Sequence, residues 1–209
     1  MTQPENSALV IPSRRRIRLS RLVVGLFFAG VLVSTSTWHE SYPLARFALV
    51  VLGWVLIAIG VLGRVWSGSY ISGRKSVTLQ VHGPYSLCRN PLYFFSFLAG
   101  LGVTLQTGTL TFPVVFAATF LGYYARVIRG EEAKLASLHG SEFDAFCARV
   151  PRFWPSLKSF TEPAEYCIAA KSFRGELCDV GFFIAAGGLI SGIDWLHTTQ
   201  SMFTIFRLP

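Results

Sequence analysis

Two short clusters gather most of the polar chemistry that this chain places beside its apolar runs. The first is His82-Gly83-Pro84-Tyr85-Ser86-Leu87-Cys88-Arg89-Asn90-Pro91-Leu92-Tyr93. It brings an imidazole, a guanidinium, an amide and two phenols into one short stretch. The second is Arg129-Gly130-Glu131-Glu132. Residues of these types suit a small charged ligand: the arginine fork pairs with a carboxylate or phosphate, carboxylates take charge-assisted hydrogen bonds from an ammonium, and aromatic faces attract cations. Each cluster alone also has a plainer reading. The first reads as a loop with tyrosines anchored at a membrane surface. The second reads as acidic residues favoured by the dipole at a helix N-terminus.

The elements that must position these clusters are apolar. Hydrophobic residues make up 52% of the 209 residues and charged residues 14%, against about a quarter charged in soluble domains. So little charge leaves too little polar surface for water, and lipid is the natural solvent. The formal net charge of +8 then reads as basic residues near anionic headgroups and in cytoplasmic loops, and nucleic acid is not an expected partner. Cys88, Cys147, Cys167 and Cys178 form no CxxC pair, and no His stands at zinc spacing beside them. They are expected to be reduced thiols, with no metal site. His139 and His197 are isolated and no metal role is expected of them. Arg14 to Arg21 precede an apolar run without a small-residue cleavage site, so that run is expected to remain as a transmembrane helix rather than leave as a signal peptide.

The chain divides into a polar and basic segment over 1–21, two transmembrane helices within 22–66, a core over 67–157, and a linker with a fifth spanning or interfacial helix over 158–209. The apolar runs are Leu22–Trp38, Leu44–Trp66, Leu92–Gln106, Leu110–Ile128 and Val180–Phe206; the shortest of them approach the lower limit for crossing a bilayer. Leu92–Gln106 is expected to extend a few residues backward. Residues 129–150 read as an amphipathic helix with Leu135, Leu138, Phe146 and Val150 on its apolar face. With the N-terminus inside, all of the 19 Lys and Arg except Arg46 and Arg207 fall in inner segments, as the positive-inside rule requires. That places 67–91 and 129–178 together on the cytoplasmic face. Asp194, inside an apolar run, is either functional or close to the interface. Gly187-Gly188 suits close helix packing.

Taken together, the two clusters resemble the isoprenylcysteine carboxyl methyltransferase and phospholipid methyltransferase superfamily. Its first motif, Gly-x-Tyr then Arg-His-Pro-x-Tyr, stands here as Gly83-Pro84-Tyr85 and Arg89-Asn90-Pro91-Leu92-Tyr93. Its second, Glu-Glu and an amphipathic helix ending in Arg-Val-Pro, stands as Glu131-Glu132, then Gly140, Phe143, Phe146 and Arg149-Val150-Pro151. The match covers roughly residues 44–157. Asn90 replaces the usual His, and Phe95 sits where prenylcysteine enzymes often have Gly.

The resemblance implies an all-α membrane protein of about five transmembrane helices, with a cytosolic amphipathic helix and loops closing over S-adenosylmethionine. It implies catalytic roles for Arg89, His82 and Glu132. Cofactor contacts are implied for His82, Gly83, Tyr85, Arg89, Asn90, Pro91, Tyr93, Glu131 and Glu132. The acceptor it implies is lipid-like or prenylated, offering a carboxylate, phosphate or headgroup amine. An amine or thiol must first lose a proton, whereas a carboxylate or phosphate need not; with only His82 and the Glu pair as bases, an oxygen nucleophile is favoured. Two other classes compete: a non-catalytic binding or assembly protein on the same fold, and a small transporter. The transporter lacks support from intramembrane polar residues or duplicated halves. Oligomeric state is left open.

Overall fold

The computed structural model describes residues 25–37, 42–72, 78–199 and 205–208. The basic segment Arg14–Arg21, the turn at 39–41 and residues 73–77 of the polar interval lie outside the described residues. The elements run as follows: a helical stretch over 25–33, strand β1 (Ser34–Ser36), helices α1 (Pro43–Ile71), α2 (Pro84–Leu87), α3 (Pro91–Leu105), α4 (Thr111–His139) and α5 (Ser141–Arg149), a 3-10 turn at Leu157–Ser159, helix α6 (Ala170–Thr198) and strand β2 (Phe206–Leu208). Among the described residues, three helices are long and apolar enough to cross a membrane: α1, α4, and α6 over Phe173–Thr198. Helix α3 is apolar but has only 15 residues, about 22 Å at 1.5 Å per residue, short of the roughly 30 Å hydrocarbon core. It gains one residue over the expected start, because Pro91 opens it at the position where a missing N–H costs nothing.

Four boundaries differ from the sequence reading, each for a local reason. The first apolar run does not stay helical to Trp38, because Ser34, Ser36 and Thr37 turn their hydroxyls to backbone carbonyls. Ser34 donates to Gly30 at 2.8 Å and Ser36 to Gly108 at 2.7 Å, and such bonds compete with helix. β1 instead pairs in parallel with β2, Ser34 opposite Phe206 and Ser36 opposite Leu208. This small sheet was not expected, and it takes Phe206 out of the last apolar span. Residues 129–150 are not one amphipathic helix: α4 continues unbroken to His139, and the chain turns only at Gly140, whose φ of 51° suits a residue without Cβ. Finally, α6 begins ten residues earlier than Val180, since its first charged turns are compensated. Glu176 lies 3.1 Å and Asp179 3.5 Å from the Arg64 guanidinium of α1.

Helix α3 is the centre of the bundle, packed against α1, α4 and α6. Its contact with α1 is backbone to backbone. A Cβ at Gly60 would stand 2.5 Å from the Ala99 nitrogen, and one at Gly102 would stand 2.5 Å from the Gly53 carbonyl. Small residues permit this approach where lipid supplies no hydrophobic drive between helices. The core joins Val31, Ile57, Val103, Ala186 and Ile190. Gly187 faces the Ile57 side chain as expected of the glycine pair, whereas Gly188 faces open space. A second, smaller cluster of Phe143, Phe146 and Val150 packs α5 onto Leu135 and Ala136 of α4 and onto Leu79 and Val81.

Several polar groups inside the bundle are paired, although Arg46 and Arg64 each keep a buried Nε without a hydrogen bond. Fully buried Gln106 donates to the Val50 carbonyl at 3.3 Å and accepts from Ser191 at 2.9 Å. Asp194 pairs with Arg46, the two side chains 13% and 18% exposed. Removing one partner of a buried pair costs about 3–5 kcal/mol, while replacing both with apolar residues is often neutral. Asp194→Asn is therefore expected to lower the detergent unfolding midpoint clearly, and Arg46→Met with Asp194→Leu to restore most of it. Equal midpoints for wild type and Asp194→Asn would refute a structural role for the pair.

Candidate functional site

The first cluster is shaped by a glycine and a strap. Gly83 adopts φ 59°, and a Cβ there would run into the Tyr70 ring, so both conformation and space require glycine. The chain from Pro151 to Thr161 lies along residues 83–89. The Gly83 N–H donates to the Thr161 carbonyl at 2.7 Å, the Ser156 N–H to Leu87 at 2.9 Å, and the Arg89 N–H to Pro151 at 2.9 Å. The Ser86 hydroxyl accepts from the Thr161 N–H at 3.0 Å. Tyr85 is buried, and burial first, then the Glu176 carboxylate, hold its phenol far above the ordinary tyrosine range. Burial likewise pushes the Cys88 thiol up to about 12, so it stays protonated and weakly nucleophilic at neutral pH.

At the start of α3 the two clusters meet. Glu132, 8% exposed, accepts from Arg152 Nε at 2.9 Å through Oε2. Its Oε1 lies 3.4 Å from Arg89 Nε and 3.5 Å from Asn90 Nδ2. Asn90 also donates to the Arg152 carbonyl at 3.0 Å, and Arg89 Nη1 rests on the Cys147 sulfur. Beside it, the Tyr93 hydroxyl donates to Glu131 at 2.8 Å, and the Tyr93 ring packs on Tyr124 with centroids 4.8 Å apart. Both glutamates lie in the interior of α4, toward its C-terminal end. The favourable N-terminal dipole therefore does not account for them.

Of the expected residues, the structure brings Arg89, Asn90, Tyr93, Glu131 and Glu132 together. Gly83, Tyr85 and Pro91 shape the backbone around them. His82 lies elsewhere. It is exposed, its Nδ1 is 3.2 Å from the Thr161 hydroxyl, and it lines an open cleft of about 120 Å³ with Ser86, Phe146, Arg149 and Thr161. Sequence reasoning missed Arg152, which stands directly after the Arg-Val-Pro motif, and Cys147 and Tyr124, which carry no motif signal. Phe95 fills the crevice over Gly63 between α1 and α3.

Arg89 and Arg152 face Glu132 with one positive charge in excess. Arg89 Nε is buried and makes no hydrogen bond. Such a donor set fits a ligand that offers both an ammonium and a carboxylate. Among the described residues, no group of three His, Cys, Asp or Glu is arranged to hold a metal ion.

A family model described as phospholipid methyltransferase matches residues 38–142, half of the chain, with both glutamates and the whole first cluster inside it. The chain belongs to the phospholipid methyltransferase family. Its relatives extend the likeness beyond that core. The nickel-cobalt-cadmium resistance protein NccN of Alcaligenes xylosoxydans xylosoxydans is 32% identical, covering 94% of this chain and 91% of that protein. The cobalt-zinc-cadmium resistance protein CzcN of Cupriavidus metallidurans is 35% identical, covering 94% and 89%. No solved structure matches the chain. Family membership and the apolar helices together make this a membrane methyltransferase fold.

Proposed function

We propose that this family member transfers a methyl group from S-adenosylmethionine to a lipid-like or prenylated acceptor at the cytoplasmic face of the membrane. The observation that carries the reading is the meeting at Glu132 of residues from three separate stretches, Arg89 and Asn90, Glu132 itself, and Arg152, within 3.5 Å. A carboxylate held between cations can take the cofactor's ammonium, and the excess cation its carboxylate. The Tyr93 and Tyr124 rings offer faces to adenine or to the sulfonium. The bound cofactor supplies a methyl already activated by its sulfonium, so the chain's task is to position donor and acceptor. The residues at the start of α3 and in α4 do so at the membrane boundary, where an acceptor keeps its tail in lipid. Phe95, by filling the α1–α3 crevice, favours a headgroup acceptor over a prenylcysteine. Among the described residues, no base stands in the Glu132 cluster besides the glutamates, which favours a carboxylate or phosphate oxygen.

The relatives are named for resistance to nickel, cobalt, zinc and cadmium. We read a part for this chain in such resistance as modification of a membrane component. Calorimetry with S-adenosylhomocysteine in nanodiscs tests the reading. Saturable heat is expected; none at millimolar ligand would favour the alternative, a non-catalytic binding or assembly protein on the same fold.

Five spans with the N-terminus and site inside remain part of this proposal. Cys167 is exposed in the segment that would be cytoplasmic, while Cys88 is buried. A membrane-impermeant maleimide is expected to label Cys167 in inverted vesicles and to spare it in intact cells. Labelling from outside alone would reverse the topology.

A further inference from the structure

Arg152 lies outside both motifs, and its setting distinguishes it from Arg89. The Arg89 side chain is 12% exposed and packed on Cys147; that of Arg152 is 52% exposed while its partner Glu132 is 10% exposed. An ion pair open to solvent on one side contributes about 0–1 kcal/mol, so this bond exchanges readily. The backbone around Arg152 is nevertheless fixed. The Pro151 carbonyl accepts from Arg89 N–H at 2.9 Å, and the Arg152 carbonyl accepts from Asn90 at 3.0 Å. A long side chain thus pivots on an anchored peptide, beside a carboxylate already neutralised by a second guanidinium.

We propose that Arg152 binds the carboxylate of the cofactor's amino-acid end, leaving Glu132 to the ammonium. The Arg152–Glu132 pair holds together the two charges that a zwitterion separates. One ion pair becomes two, with no net change in charge, and Arg89 keeps Glu132 in place throughout. This inference rests on the cofactor reading above and assigns one end of that cofactor to a residue outside the matched segment 38–142.

The test compares two ligands on the full chain in nanodiscs by calorimetry: S-adenosylhomocysteine, and its analogue lacking the carboxylate but keeping the amine. Wild type is expected to lose about tenfold or more in affinity when the ligand carboxylate is absent, the size of a charge-assisted contact. Arg152→Gln is expected to bind S-adenosylhomocysteine about tenfold more weakly, by the same contact energy, yet to bind the carboxylate-free analogue at least as tightly as wild type. Arg152→Lys, which keeps charge without the fork, should fall between. The proposal is overturned if Arg152→Gln retains the full ligand preference, if it weakens both ligands equally, or if Arg89→Gln alone removes the preference. Wild type that binds neither ligand would overturn the methyltransferase reading as well.

Discussion

Valine at Gly60 is expected to prevent α1 and α3 from packing and to leave little folded chain. The Cβ alone would stand 2.5 Å from the Ala99 nitrogen and 2.7 Å from the Phe95 carbonyl. Both atoms belong to the α3 backbone, so no side chain can turn aside. Ordinary overpacking costs about 1–3 kcal/mol because side chains and backbone share the strain; here the whole helix must move, and the cost should reach or exceed the top of that range. Helix α3 carries Asn90 at its cap and Tyr93 in its first turn, so its displacement also disperses the Glu132 cluster. Gly188→Ala is the control, since nothing lies within 4 Å of that position and alanine favours helix by about 0.5–1 kcal/mol. Thermal unfolding in detergent separates the cases: Gly188→Ala should match or exceed wild type, and Gly60→Val should show no cooperative transition. A Gly60→Val protein melting within a few degrees of wild type would refute this close approach.

What the sequence made legible follows from where its signals are strong. Apolar length marked the spans of α1 and α4, and the motif spacing pointed to Arg89, Asn90 and Tyr93 as neighbours of Glu131 and Glu132, though it also drew in His82, which lies elsewhere. Boundaries were poorly legible wherever a tertiary partner overrides a local preference. Glu176 and Asp179 look like linker charges until Arg64 compensates them and lets α6 start at Ala170. Residues 129–132 look like a helix start, yet a Cβ at Gly130 would meet nothing and α4 runs through; the true break is Gly140, where φ is positive. The serine-rich end of the first apolar run is read as helix by hydropathy alone, because its hydroxyl bonds to Gly30 and Gly108 are invisible to a sliding window. Within the site the same limit hid Arg152. Its reach to Glu132 depends on the strap beside residues 83–89, a long-range pairing with no spacing signature. The Phe95 substitution was legible as a departure, but not that Gly63 makes room for it.

Glu132→Gln is expected to weaken S-adenosylhomocysteine binding by roughly ten- to a hundredfold, the loss of about 1.5–3 kcal/mol for a charged hydrogen bond. Glutamine keeps the size and one acceptor oxygen, so Asn90 can retain its contact. What disappears is the charge between Arg89 and Arg152. The cost to folding differs at the two ends. Arg152, half exposed, is rehydrated cheaply. Arg89 is 12% exposed and must keep its charge with less compensation, so the unfolding midpoint should also fall. A glutamate that merely favoured a helix dipole would cost only about 0.3–1 kcal/mol, and its place toward the C-terminal end of α4 removes even that benefit. Destabilisation alone could mimic a binding defect, and methylthioadenosine, which lacks the amino-acid end, separates the two. If Glu132 holds the ammonium, Glu132→Gln loses affinity for S-adenosylhomocysteine and keeps it for methylthioadenosine. If Glu132 only braces Arg89 and the strap, both ligands weaken together. Arg89→Lys is the companion, keeping the charge and losing the fork that reaches Glu132 and Cys147 at once. It should unfold earlier and bind about tenfold more weakly, by the same charged-contact scale. Wild-type affinity in both variants would separate this cluster from the cofactor and leave the family match alone to support methyl transfer.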